Sequence, residues 1–331
     1  MLMEDLDKNL DDLLNVQELY RMLDLIAQDA DLYQVMVDFY TEQVAGFYDS
    51  ETEELFLVVD EEGRDLSLLD EITLAHEFVH ALQQQRFDIQ ALLESVEDNS
   101  DASLAFIALV EGDASDVQFR YMFKHFTREQ QMEALRSDGG GGASAFDVAP
   151  YILQQSLIFP YVQGLAFVAA LQSSPGWETV NAAYNNPPAS TEQVLHPEKY
   201  IDGEAPIPVT LPDVATALGD GWERAYSDVM GEFFLKTYLE TRAGGRTAAE
   251  AAAGWGGDGY ALLRGPSDEY ALVSLLVWDS GKDAREFLDA MAASDSVPDE
   301  GFLGVRGNRT LWALSPSREI TGKILSQWPE F

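Results

Sequence analysis

Residues 69–85 read LDEITLAHEFVHALQQQ and enclose the pentad His76-Glu77-Phe78-Val79-His80, which holds two of the chain's four histidines. On a helix, positions i and i+4 project from one face about a turn apart, so both imidazoles can reach one metal ion. Glu77 then sits beside them, close enough to a metal-bound water to take its proton. The spacing therefore points first to a zinc hydrolase. Four histidines and many glutamates placed at random would give such a pentad in roughly one chain in a few hundred, so its setting has to decide. Leu69, Ile72, Leu74, Phe78, Val79 and Leu82 make one broad side apolar, and no Pro or Gly interrupts. That pattern predicts a core-facing helix. The alternative is a buried helix whose histidines only hydrogen-bond, which would bury two imidazoles and a glutamate at a cost.

Zinc needs three protein ligands and an open position. The chain has no cysteine, which removes thiolates, and the other histidines are His125 and His196. The best third donor is Glu111 in SLAFIALVEGDASDVQFRYMF, residues 103–123, where a charge interrupts the apolar helical pattern of Leu104, Phe106, Ile107, Leu109 and Val110. The competing reading is a helix end, with Gly112 and Asp113 forming a turn.

A HExxH pentad followed about thirty residues later by a glutamate on a second helix resembles the layout of the gluzincins, the thermolysin-like clan of zinc peptidases. The strings QVAGFYDSETEELFLV, LAHEFVHALQQQRFD, ALVEGDAS, NNPPASTEQVLHPEKY and AAAGWGGDGYAL resemble a largely uncharacterised prokaryotic group with gluzincin-like metallopeptidase domains. The resemblance runs from about Gln43 to about Leu288. It implies His76, His80 and Glu111 as zinc ligands and Glu77 as general base. One departure is Ser115, four residues after Glu111, where thermolysin-like enzymes often carry an aspartate that holds a ligand histidine. Asp113, Asp116, Ser115 itself or a backbone carbonyl remain as substitutes, since ligating histidines usually donate their second ring nitrogen to such a group.

In residues 185–200, Pro187 and Pro188 force an extended approach. Ser190 and Gln193 have capping-box spacing, and Pro197 stops a short helix directly after His196. In thermolysin-like sites a histidine well downstream of the third ligand donates to the oxyanion. His196 is the candidate for that catalytic role here, a contribution worth about 3 kcal/mol. Its alternative role is to close the helix C-terminus. Residues 54–59 read as a short strand just before the metal helix, and in zincin-like folds such an edge strand lines the cleft and pairs with substrate. Tyr48 or Phe56 could contact it. Tyr161 and Tyr184 are ambiguous between core and site, and His125, beside basic residues near a helix end, reads as a surface residue.

Composition bounds the rest. The 331 residues are 46% hydrophobic, ample for a core, and carry 58 acidic against 20 basic side chains, a formal net charge of −38. Arginine outnumbers lysine, 14 to 6. Acids spread along the whole chain, with little lysine, predict a salt-adapted, halophilic source more than a surface selecting cationic partners. No basic stripe exists to neutralise phosphates, so nucleic acid is not an expected partner. The apolar stretch 151–171 carries Gln154, Gln155 and Gln163, which argues against a transmembrane segment, and the acidic opening MLMEDLDKNLDDLL is unlike a secretory signal. The expected protein is soluble, cytoplasmic as written, or exported or at the cell surface if a leader has been removed. Absence of cysteine fits either compartment.

Apolar positions from Val16 to Val44 recur at helical spacing and predict one or two helices. The run Gly139–Gly142 predicts a flexible loop, and GEAPIPVT, residues 203–210, an extended connector. Beyond it we expect a helix at about 222–242, helix near 248–253, strands at about 260–263 and 270–278, and a helix at 283–293. A hairpin about Gly307-Asn308 and a terminal helix complete the pattern. Trp255-Gly256-Gly257-Asp258-Gly259 reads as a glycine-rich turn closing onto the core, or as a binding loop. The expected fold is α+β, with a zincin-like metal-binding domain at 1–204, mostly helical with a small sheet, and a smaller α+β domain at 205–331. The expected function is that of a zinc metallopeptidase acting on a peptide or protein substrate, with Zn2+ as cofactor, although cobalt, manganese or iron also suit the donors. The alternative is a zinc-bearing binding or surface module without turnover.

Overall fold

The computed structural model describes residues 9–43, 46–49, 52, 54–58, 65–137, 144–173, 176–294 and 296–331. The run Gly139–Gly142 and the end of the strand expected at 54–59 lie outside the described residues.

The N-terminal part is mostly helical. Two helices, α1 (Leu10–Met22) and α2 (Leu32–Gln43), lead into a short antiparallel hairpin, β1 (Gly46–Asp49) with β2 (Glu54–Leu57). The pentad helix α3 (Leu68–Phe87) starts at a capping box: Asp70 N–H donates to Ser67 Oγ at 3.2 Å, and Ser67 N–H donates to Asp70 Oδ2 at 2.6 Å. After α4 (Ile89–Glu94), α5 (Ser100–His125) is capped by Asn99, whose side chain accepts from Ala102 N–H. It runs unbroken for 26 residues. The Gly112-Asp113 turn that the sequence left open is therefore absent, and Glu111 sits mid-helix. The helices α6 (Arg128–Ser137), α7 (Ala145–Val148), α8 (Tyr151–Gln172), α9 (Trp177–Ala183), α10 (Thr191–Leu195) and α11 (Pro197–Asp202) follow.

What sets the spacing of α5 and α8 is a pair of glycines. A Cβ on Gly112 would lie 2.2 Å from the backbone of Gly164, and one on Gly164 would lie 2.0 Å from the Ala108 carbonyl oxygen. The two backbones touch, and Phe106, Leu109, Phe167, Val168 and Leu171 close around them in one core. Among the described residues, α8 is the one helix long and apolar enough to cross a membrane by length and composition, with a mean hydropathy of 1.3. Its four glutamines do not disqualify it on that measure. The buried residues of α8 belong to the cores it shares with α5 and α2.

The C-terminal part is a five-stranded antiparallel sheet, order β3-β4-β5-β7-β6, formed by β3 (Glu223–Asp228), β4 (Trp255–Arg264), β5 (Tyr270–Trp278), β6 (Phe302–Arg306) and β7 (Arg309–Leu314). Alternate residues of β4, β5 and β7 feed two cores. Leu272, Leu276 and Trp312 pack under α13 (Gly231–Ala243), α14 (Gly245–Ala252) and α15 (Gly281–Ala293). Val273, Leu275 and Leu311 pack under α12 (Val214–Leu218) and α16 (Arg318–Leu325). A sheet covered on both faces explains why β4 and β5 read as continuous apolar runs.

Three expectations change here. Residues 223–228 form an edge strand, not the start of a helix; its charged, half-exposed pattern carries no strand-like alternation, as edge strands often do not. Trp255–Gly259 is neither a turn nor a binding loop but the opening of β4. Its glycines admit the connector: Ile207 N–H donates to Gly256 O at 2.6 Å, and a Cβ on Gly257 would meet Ile207 O at 2.2 Å. Finally, Leu19 of α1 and Leu23, just beyond its end, belong to the core under the sheet, so the N-terminal helix packs beyond the boundary placed at residue 204.

Candidate metal centre

Three donor atoms converge between α3 and α5. His76 Nε2 lies 3.0 Å from His80 Nε2 and 3.1 Å from Glu111 Oε2, while His80 Nε2 lies 3.5 Å from the same oxygen. Tetrahedral zinc with bonds of about 2.0–2.1 Å separates its donors by roughly 3.3 Å, so these three atoms have the spacing of one face of such a site. The pentad's spacing on α3 brings the two imidazoles together, and the uninterrupted α5 brings Glu111 to them. Ile72, Val79 and Ala81 anchor α3 in the interior. Phe78 and Leu82, expected on the same apolar side, are instead 56% and 48% exposed.

The other ring nitrogens show what these donors are prepared for. Gln83 is 2% exposed, and its amide nitrogen donates to Val110 O, Asp113 Oδ2 and Tyr184 Oη at 3.0, 3.1 and 2.9 Å. That orientation leaves Gln83 Oε1 facing His80 Nδ1 at 2.8 Å, so the Nδ1 must carry the hydrogen. Gln118 Oε1 faces His76 Nδ1 at 3.1 Å in the same way. Both Nε2 lone pairs then point at each other and at a carboxylate, an arrangement that repels itself unless a cation lies between. Without a metal, a proton takes that place. Burial alone lowers His80, but the Glu111 carboxylate overrides it and lifts the imidazole to about 9. Burial raises Glu111, and the two histidines overcome that and hold it at about 2.

Neither glutamine was among the expected partners. Asp113 reaches the centre through Gln83 and receives the Tyr184 hydroxyl at 2.8 Å, whereas Asp116 accepts from Arg120 at 2.7 Å and Gln172 at 2.8 Å. Tyr184 is 2% exposed and stacks on Phe87, a supporting residue more than a surface of the cavity.

Glu77 and the ligand set line a cavity of about 430 Å³ together with Gly46, Tyr48 and Tyr161. Gly46 lets the hairpin lie on α3, since a Cβ there would meet Phe56 O at 2.9 Å and Thr73 Cγ2 at 3.0 Å. Tyr48 and Phe47 of β1 line the cavity, while Phe56 stacks on Phe47 from outside it at 4.8 Å. Burial pushes the Glu77 carboxyl upward, opposed by His80 and His76, and the neighbouring Glu111 raises it further. Tyr161 stands over His76, with ring centroids 6.1 Å apart. Its phenol is pushed well above the ordinary range by burial, then by the charges of Glu111 and Glu77, so it keeps its proton.

His196 is not brought to this cavity. Its Nε2 pairs with buried Glu232 of α13 at 2.9 Å, a contact between α10 and the C-terminal part. His125 is exposed at the end of α5, with its ring beside Tyr121 at 4.7 Å. A second group with ligand-like spacing, Glu192, Glu204 and Asp279, already holds a cation: Lys199 Nζ lies 2.7, 2.8 and 2.6 Å from their oxygens.

Residues 218–321 match the family described as a domain of unknown function, DUF8575. The matched segment spans the five-stranded sheet with α13, α14 and α15 and contains none of His76, Glu77, His80 or Glu111. No curated protein and no solved structure matches the chain.

Proposed function

We propose that the N-terminal part is a zincin-like hydrolase domain and that the protein is a zinc metallopeptidase. The observation that carries this reading is the donor triangle of His76, His80 and Glu111, with both Nδ1 atoms facing glutamine oxygens and Glu77 beside it. Two neutral imidazoles and one carboxylate are a catalytic zinc ligand set that leaves a coordination position open. When bound, zinc supplies Lewis-acid polarisation of a carbonyl and a water acidic enough to lose a proton near neutral pH.

The remaining work falls to the chain. Glu77, raised by burial, is suited to accept a proton from the attacking water and return it to the departing amine, because a general base acts best when its pKa approaches the working pH. Tyr161 replaces His196 as the donor to the developing oxyanion: its phenol lines the same cavity and stays protonated. Gln83 and Gln118 hold the imidazoles in one tautomer and one orientation.

Glu77→Gln preserves size and hydrogen bonding while removing the base. It should keep one equivalent of zinc and lose peptide hydrolysis by at least about 100-fold, the lower end of general-base contributions. The assay is cleavage of a mixed peptide library at high salt. Equal cleavage by the variant and the wild type would overturn the assignment, and absence of cleavage by either would favour a zinc-bearing binding module.

A further inference from the structure

The metal cavity does not end at Glu111. A second cavity of about 260 Å³ shares Glu111 and Tyr161 with it and is otherwise walled by Ile107, Leu153, Leu157 and other apolar side chains. A third, of about 240 Å³, shares Leu104 and Ser156 with the second and continues towards Ser100, Leu19 and Phe233. The linings follow helical periodicity on both sides. On α5 they fall at Ser100, Asp101, Leu104, Ile107 and Glu111, and on α8 at Leu153, Ser156, Leu157, Pro160 and Tyr161. Each set is one face of its helix.

On α5 this face is the unfilled one. Leu104, Ile107 and Glu111 are half-buried, while Ala105, Phe106, Ala108 and Leu109 between them are at most 1% exposed. From Glu111 to Ser100 the helix rises roughly 16 Å, about the reach of a dozen extended methylene groups. A cavity of about 150 Å³ already accepts benzene, so each of these two spaces exceeds what one small ring fills.

We infer that the groove between α5 and α8 is a binding gallery for a long unbranched apolar chain borne by the substrate's amide. This rests on the hydrolase reading for its reaction and on the cavities for its selectivity. Glu111 and Tyr161 line both the metal cavity and the gallery, so a chain lying in the gallery places its first polar group, the amide, at the donor triangle. Water then adds to the amide carbonyl, Glu77 passes the water's proton to the nitrogen, the C–N bond breaks, and a carboxylate and a protonated amine result. A short polar peptide leaves Leu104, Ile107 and Leu153 uncovered and gains nothing from them.

The test is calorimetric binding of N-acylglycines, from acetyl through hexanoyl to palmitoyl and below their micelle concentrations, to the full chain with and without zinc. Affinity should rise by up to about fourfold per buried methylene and keep rising past hexanoyl to about dodecanoyl. Ser156→Leu, which narrows the passage from the second cavity to the third, should level the series near hexanoyl. Leu104→Phe serves the same purpose if that variant does not fold. A series that levels at hexanoyl in the wild type, or that is indifferent to length, would overturn the gallery. A rising series without hydrolysis by the zinc-loaded protein would support the gallery and count against the hydrolase reading. Hydrolysis with a flat series would do the reverse.

Discussion

Gln83 links His80 to Val110, Asp113 and Tyr184 in one buried network, so a single amide decides which nitrogen of His80 is free for a metal. Gln83→Leu removes that decision while keeping the volume. Zinc affinity should fall about 10- to 100-fold, as for other partners of ligand histidines, measured by competition with a chromophoric chelator. An unchanged affinity would show that His80 is oriented without it. At this scale the pentad was legible from its spacing together with the apolar helix around it, and Glu111 from a charge interrupting an apolar helix. Gln83 and Gln118 were not, because a glutamine in QQQ or VQF looks like any exposed helical residue until the partner helix is placed. His196 shows the opposite failure: its stiff presentation was legible, but its neighbour Glu232 lies 36 residues away and claims it.

At the scale of elements, the contact of α5 with α8 builds the site, because Gly112 directly follows Glu111 and Tyr161 lies one turn before Gly164. Gly164→Ala gains helix propensity of about 1 kcal/mol. It also drives a methyl group to 2.0 Å from the Ala108 carbonyl oxygen, where only backbone displacement gives relief. Overpacking of that kind costs about 1–3 kcal/mol, so we expect a net loss of stability in denaturant unfolding together with weaker zinc binding. A stabilised variant with unchanged zinc affinity would mean that the helices do not depend on this approach. The glycine pair could not be read from sequence, since a lone glycine in an apolar helix gives no sign of what it touches. Strand β5 and residues 260–263 of β4 were readable as apolar runs and the β6–β7 hairpin from its Gly-Asn turn, but the Trp255–Gly259 opening of β4 was not. Edge strand β3 was not, because its charges serve the edge and erase the alternation.

The whole molecule carries a formal charge of −38, and its basic residues are few. Self-repulsion of that size opposes compaction and falls as the Debye length shrinks from about 30 Å at 0.01 M salt to about 3 Å at 1 M. The melting temperature should therefore climb steeply between those concentrations, with KCl and NaCl equivalent; a flat profile would remove the case for a salt-adapted protein. The division into a helical part and a sheet part was legible from the change of rhythm after GEAPIPVT. The return of Leu19 and Leu23 to the sheet's core was not, since helical spacing names a buried face but not the surface it meets.

For hydrolysis at this site, His76, His80 and Glu111 together must hold one zinc ion. That requirement is tested most directly by zinc content and affinity, measured on the purified chain after metal removal and reloading, for the wild type, Glu111→Ala and Glu77→Gln. One tightly held equivalent is expected in the wild type and in Glu77→Gln, and its loss in Glu111→Ala with the fold retained by circular dichroism. A full equivalent bound with wild-type affinity in Glu111→Ala, or none in the folded wild type, would contradict it.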